Sequence, residues 1–189
     1  MGLDLPAALG TVALVIWVAF EVALRPRGAD ARSLQVSRQD RGSTYVLVVA
    51  YVVAISVPTL LPGRLALLPD VYRWLGVVLA AAGLLLRAWA MRVLGASYTR
   101  TLRTERTQSL VTSGPYRVVR HPGYAGSLAV WVGYAATRGE ALVLLGVLLL
   151  IAGAYVWRIR AEETMLAARF GAAYRAYSAC TKRLIPGLW

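Results

Sequence analysis

Five long apolar runs divide the chain: Leu5 to Leu24, Tyr45 to Leu61, about Val71 to Leu94, Gly123 to Thr137 and Ala141 to Trp157, with the polar residues gathered between them. A membrane-crossing helix needs about 20 apolar residues, at ~1.5 Å rise each, to span ~30 Å of hydrocarbon. The pattern predicts an all-α integral membrane protein with five transmembrane helices. The fourth run is short, and only Arg138, Gly139 and Glu140 part it from the fifth, so the last two read as a tight antiparallel helical hairpin. Pro58 and Pro62 break the second run. The first run follows Asp4 rather than a basic stretch and has no small-residue cleavage site, so it reads as a retained helix and not a signal peptide.

Beyond the fifth run, in RIRAEETMLAARFGAAYRAYSACTKRLIPGLW, the residues Leu166, Phe170, Tyr174 and Tyr177 recur at spacings of four and three. That puts them on one helical face and predicts a cytoplasmic, interfacial amphipathic helix, weakened at Gly171 and ended by Pro186. Between the third and fourth runs lies a polar segment of about 28 residues, too long for a simple connector. Its Tyr98, Leu102, Leu110, Val111, Tyr116, Val118 and Val119 predict order against the membrane surface. One structural domain is expected, with residues 1–94 as a three-helix transmembrane scaffold and residues 95–189 as the catalytic region.

Composition supports the membrane assignment: 58% of the 189 residues are hydrophobic and 16% charged. The net charge of +12 raises nucleic acid as a partner, but its distribution removes that idea. If the spans alternate, 18 of the 21 basic residues fall on one side, leaving Arg64, Arg73 and Arg138 on the other. This positive-inside asymmetry puts the N-terminus outside and the C-terminus in the cytoplasm, and the basic face attracts anionic lipid head groups. A single cysteine, Cys180, and a single histidine, His121, provide neither a zinc or iron–sulfur ligand set nor a disulfide, so no metal is expected. No GxGxxG after a strand, no GxxxxGK[ST] and no GxSxG is present, which excludes the soluble nucleotide-binding and hydrolase folds those motifs mark.

The chemistry concentrates in two places. In GPYRVVRHPGYAG, residues 114–126, Pro122 starts the fourth helix and places His121 at its N-terminus, where free backbone N–H groups and the helix dipole favour an anion such as a carboxylate. Gly123 and Gly126 leave one face of that helix bare, open to another helix or a flat ligand. Alternatively, His121 is an interfacial histidine bonded to backbone, and Arg117 and Arg120 are snorkelling anchors. Where the fifth helix leaves the membrane stand Arg158, Arg160, Glu162 and Glu163. Arg158 and Glu162 form an i,i+4 pair, whereas five residues turn through ~500° and leave Arg158 and Glu163 about 140° apart.

RHPGYAG (120–126) preceded by LVTSGPYR (110–117), then EETMLAARFGAAYRAY (162–177) followed by KRLIP (182–186), resembles the isoprenylcysteine carboxyl methyltransferase family of integral membrane enzymes. The resemblance covers about the last 90 residues; the first three runs match only in number and hydropathy. It implies a methyltransferase using S-adenosylmethionine, bound on the cytoplasmic side by Tyr116, Arg117, His121, Pro122, Tyr124 and Gly126. It also implies Arg158 and Glu163 as the catalytic pair, Glu163 fixing the Arg158 guanidinium and Glu162 facing solvent, with Arg158, Tyr174 and Tyr177 toward the acceptor. The implied partner is a lipophilic small-molecule or lipidated carboxylic acid. Small size and an Ala-, Leu-, Arg- and Val-rich composition suggest a bacterial member. A phospholipid amine N-methyltransferase, a thiol S-methyltransferase, an NADPH-dependent enzyme akin to sterol reductases and a non-catalytic lipid-binding protein stay open as alternatives.

Overall fold

The computed structural model describes residues 3–23, 42–60, 67–95, 109–187 and 189. Each apolar run forms a helix: α1 (Leu5–Ala23), α2 (Ser43–Leu60), α3 (Asp70–Leu94), α4 (Pro122–Thr137) and α5 (Ala141–Phe170), followed by α6 (Ala172–Cys180). A 3₁₀ turn, Gly114–Arg117, precedes α4. α1, α3 and α5 are long and apolar enough to cross a membrane, and α2 is a shorter apolar helix. The outward residues of α1 and α3, among them Val15, Val78 and Leu85, are exposed hydrophobics suited to lipid contact. The protein is therefore integral to a membrane.

α4 occupies the centre of this bundle. It packs on α1, α3 and α5, and most of its side chains are buried. Its most extensive contact is with α3 rather than with α5, the partner expected from the short connection. Glycines on both helices explain this preference. A Cβ on Gly126 would lie 2.7 Å from the Arg87 backbone nitrogen, and one on Gly133 would lie 2.5 Å from the Gly76 carbonyl oxygen. Without those atoms the two backbones touch, which is how helices associate when hydrophobic burial gives no driving force between them.

Aromatic residues from four helices fill the middle of the bundle. Tyr51 of α2 stacks on Trp131 of α4 at 5.0 Å, with Trp17 of α1 edge-on to both. Their polar atoms pair inside the core: Trp17 Nε1 donates to Ser127 Oγ at 2.9 Å, and the Tyr51 and Tyr155 hydroxyls lie 3.0 Å apart. Such satisfied contacts make large polar-tipped aromatics tolerable in a core. At the opposite end from the C-terminal segments, Arg73 ties α1, α3 and α4 together by donating to Asp4, Asp70 and the Thr137 carbonyl.

The C-terminal region departs from expectation in its boundaries. α5 does not stop at the membrane edge but continues from Ala141 to Phe170 in one piece. Gly171, with φ +52°, makes the break, a left-handed conformation that glycine adopts without penalty. Pro186 does not end the last helix. The chain is already extended at Thr181, where it turns to run beside the segment before α4. The residues Arg25, Arg27, Arg32, Arg38, Arg41, Arg64, Tyr98, Arg100, Leu102, Arg103 and Arg106 lie outside the described residues.

Candidate active site

A cavity of about 170 Å³ opens among the helix ends near the C-terminal segments. Glu21 comes from α1, Thr44, Leu47 and Val48 from α2, and Arg87 and Met91 from α3. Tyr116, Arg120, His121, Gly123 and Tyr124 line it from the turn segment and the start of α4. α5 adds Arg158, Glu162, Leu166 and Phe170, and α6 adds Tyr174 and Tyr177. The helical stripe Leu166, Phe170, Tyr174, Tyr177 thus faces a cavity and not merely the membrane plane.

Local sequence sets the entrance segment in place. Gly114 takes φ +59°, which starts the 3₁₀ turn, and Tyr116 turns inward, 7% exposed, with its hydroxyl 3.4 Å from the Ala90 carbonyl. His121 caps α4, and Pro122 occupies the first helical position, where its missing N–H costs nothing. The returning C-terminal chain then pairs with this segment: Arg120 N donates to the Lys182 carbonyl at 2.7 Å and His121 N to the Arg183 carbonyl at 3.0 Å. Loop backbone that would otherwise be unsatisfied is held as a short parallel bridge.

Glu163 locks this junction. Its Oε1 accepts from Arg120 Nε at 2.9 Å and lies 3.4 Å from His121 Nε2, while its Oε2 accepts from Arg183 Nε at 2.8 Å. Glu163 thus stands beside the His121 side chain at the start of α4. Arg120 also donates to the Ser178 and Thr181 carbonyls, so one guanidinium joins α5, α6 and the chain end. Ion pairs of this kind, partly withdrawn from water and hydrogen-bonded at several atoms, fix geometry more than they add net stability.

Arg158 is 4% exposed and is oriented from other directions. Its Nε donates to the Tyr124 hydroxyl at 3.2 Å, and its Nη1 to Ser43 Oγ at 3.0 Å and Thr44 Oγ1 at 2.9 Å. The Tyr124 hydroxyl in turn donates to Glu162 Oε2 at 2.8 Å. This corrects two expectations. Glu163 spends its carboxylate on Arg120, Arg183 and His121 rather than on holding Arg158, and Glu162 lines the cavity instead of facing solvent. The cause is helix geometry: four residues turn through ~400°, returning Glu162 to within about 40° of Arg158, whereas Glu163 lies about 140° away.

Of the residues expected around a cofactor, Tyr116, His121 and Tyr124 line the cavity. Arg117 is exposed outside it, Pro122 is buried behind it, and the bare face of Gly126 is filled by the α3 backbone. Tyr174 and Tyr177 are on the wall. Burial pushes the Tyr177 hydroxyl up to about 12 and that of Tyr174 well above the ordinary phenol range, so both are neutral. Tyr177 donates to the Tyr116 carbonyl at 2.7 Å. The buried Tyr174 hydroxyl makes no hydrogen bond among the described residues, and His121 Nε2 has only its 3.4 Å contact with Glu163. Glu21 and Arg87 were not singled out from sequence as site residues. An acid two residues from the end of α1 carried the signal, since an ionisable group within an apolar span marks function by default.

The profile of the phospholipid methyltransferase family matches residues 71–173. A rice protein (Oryza sativa subsp. indica) named "Probable protein-S-isoprenylcysteine O-methyltransferase" is 30% identical over 184 residues, covering 91% of each chain. A Dictyostelium discoideum protein-S-isoprenylcysteine O-methyltransferase is 29% identical over 122 residues, 61% of this chain and 49% of its own. Among solved structures, a eukaryotic intramembrane Ras methyltransferase, isoprenylcysteine carboxyl methyltransferase, shares the fold at a TM-score of 0.60 and 22% identity. That match covers 87% of this chain and 58% of the other.

Proposed function

This chain belongs to the isoprenylcysteine carboxyl methyltransferase family, and on that premise we propose that it methylates the carboxylate of a lipophilic acceptor of the isoprenylcysteine type. The methyl donor in this reading is S-adenosylmethionine, and the cavity faces the cytoplasm, the side on which the basic residues gather. One observation carries the proposal: Arg158, buried and held by Tyr124, Ser43 and Thr44, presents a guanidinium in a cavity that Leu47, Val48, Leu166 and Phe170 make largely apolar. Such a wall suits a ligand with one anionic end and a hydrocarbon body.

The residues present fit the donor. The buried Tyr174 hydroxyl, which makes no hydrogen bond among the described residues, and His121 border the same cavity as the aromatic rings of Tyr116, Tyr124 and Tyr177, as a ligand with a flat polar ring requires. Tyr116, His121, Tyr124 and Tyr174 would hold it. When bound, it supplies a methyl group on a positively charged sulfur, activated for in-line displacement.

The chain's own task is alignment. A carboxylate is already nucleophilic, so no residue has to remove a proton. Arg158 binds it and fixes its direction, and the hydrogen bonds from Arg158 to α2 and α4 prevent the guanidinium from turning away. Glu162 lies on the same wall, tied to Arg158 through Tyr124. Alignment of this kind supplies ~7–11 kcal/mol in a water-excluding site. Glu163 acts at one remove, as a positioning residue that holds Arg120 and His121 at the cavity edge.

Calorimetry on detergent-purified protein tests the donor directly. Binding of S-adenosylmethionine and not NADPH is expected; binding of NADPH alone would replace the reading with a reductase, and binding of neither would leave a lipid-binding protein.

A further inference from the structure

Glu21 and Arg87 are the charged pair for which methyl transfer to a carboxylate has so far required nothing. Arg87 Nη2 lies 2.6 Å from Glu21 Oε1 and Nε donates to the same oxygen at 2.9 Å; the side chains are 7% and 13% exposed. Arg87 is seven residues, roughly 10 Å, inside the end of α3. An ion pair so placed is poor at stabilising a fold, because apolar residues of similar size pack there without desolvating two charges. Neither partner turns to lipid: both line the cavity. Gly123 completes the arrangement, since a Cβ there would lie 2.8 Å from Arg87 Nη1, so its absence lets the guanidinium close against the first turn of α4.

The cavity's other arginines are committed elsewhere. Arg120 is bonded to Glu163 and to the Ser178 and Thr181 carbonyls, and Arg158 to three hydroxyls. A purely anionic group approaching Arg87 meets the Glu21 carboxylate beside it and is repelled. A ligand end that carries both charges a few ångströms apart meets a partner for each. We propose that the Glu21–Arg87 pair is the binding site for a zwitterionic α-amino-acid end, Arg87 taking the α-carboxylate and Glu21 the α-ammonium. Resting on the proposed function, this assigns to α1 and α3 the methionyl end of S-adenosylmethionine. An acceptor acid joined through an amide has no ammonium for Glu21, and it is directed to Arg158. The helix start at His121, the other place suited to the donor's carboxylate, already has Glu163 beside it.

The test uses two probes that differ only in this end. S-Adenosylhomocysteine carries the α-amino-acid group; 5′-methylthioadenosine keeps the nucleoside and thioether and lacks it. Calorimetry is run on the detergent-purified full chain as wild type, Glu21→Gln, Arg87→Gln and the double variant, which strands no buried charge, with thermal unfolding of each. S-Adenosylhomocysteine is expected to lose about tenfold to a hundredfold in affinity in all three variants, the range of a lost charge-assisted hydrogen bond, while 5′-methylthioadenosine binds each as it binds wild type. Glu21→Asp, which keeps the charge, should recover part of the loss. Equal weakening of both probes, or no weakening of either, overturns the proposal. Wild-type protein that binds neither probe removes the donor reading itself, a failure visible before any variant is made.

Discussion

Tyr124 joins the two charges of the site, accepting from Arg158 and donating to Glu162. Tyr124→Phe removes both bonds at once and leaves the ring in place. Methyl transfer should fall about tenfold to a hundredfold, mainly in kcat, with the protein still folded; a rate within a factor of about two of wild type would take Tyr124 out of the mechanism. Glu163→Gln cannot hold both Arg120 and Arg183, so methyl transfer should be lost and the unfolding temperature should drop. Glu162→Gln should lower the rate with little change in unfolding, and the contrast between the two readouts separates a cavity residue from a positioning one. Tyr177, held neutral up to about pH 12, adds a pH signature. Its raised folded-state value means that its contribution to stability is complete below the ordinary phenol range near 10 and fades as pH climbs toward 12. The unfolding temperature should fall across that window, and less so in Tyr177→Phe. Sequence brought attention to Arg158, His121 and the tyrosine stripe because their spacing and surroundings were local facts. The division of labour between Glu162 and Glu163 was also local, as the helical angle had it, but motif matching favoured the other residue. Glu21 and Arg87 escaped because they meet only once α1 and α3 are packed.

Helix existence was legible in the runs of apolar residues, since a span's length is a physical requirement that composition alone meets. Partner choice was not. The short turn between α4 and α5 suggested that those two helices form the tight pair, yet the glycines of α3 and α4 draw their backbones together instead. Gly133→Val should therefore destabilise by ~1–3 kcal/mol or more, read as a lower unfolding temperature in detergent. Gly146→Ala on α5, where a Cβ meets nothing within 4 Å, should leave that temperature unchanged or slightly raised. Equal losses at the two positions would show that helix propensity, not α3–α4 contact, governs. The end of α6 was misjudged because Pro186 can only mark where a helix must stop. Pairing of the chain with residues 119–121 made it stop sooner.

At the scale of the whole molecule the cavity draws on every described helix, so the first three do more than support the rest: α1 and α3 bring the Glu21–Arg87 pair and α2 the hydroxyls that orient Arg158. The C-terminal return closes the structure by binding the segment that carries His121. Ending the chain after Cys180 should remove Arg183 from Glu163, free the Arg120 and His121 backbone and abolish S-adenosylmethionine binding by calorimetry. Membrane integration followed from sequence directly, and so did the class of enzyme, because two separated motifs had to coincide. The meeting of all six described helices at one cavity depends on packing and could be seen only in three dimensions. Carboxyl methylation of a lipophilic acid is read out by incubating the purified protein with methyl-labelled S-adenosylmethionine and N-acetyl-S-farnesylcysteine, then treating the product with mild base. An ester releases its label as methanol, which is the expected result; label that stays bound through base, or none transferred at all, rules carboxyl methylation out.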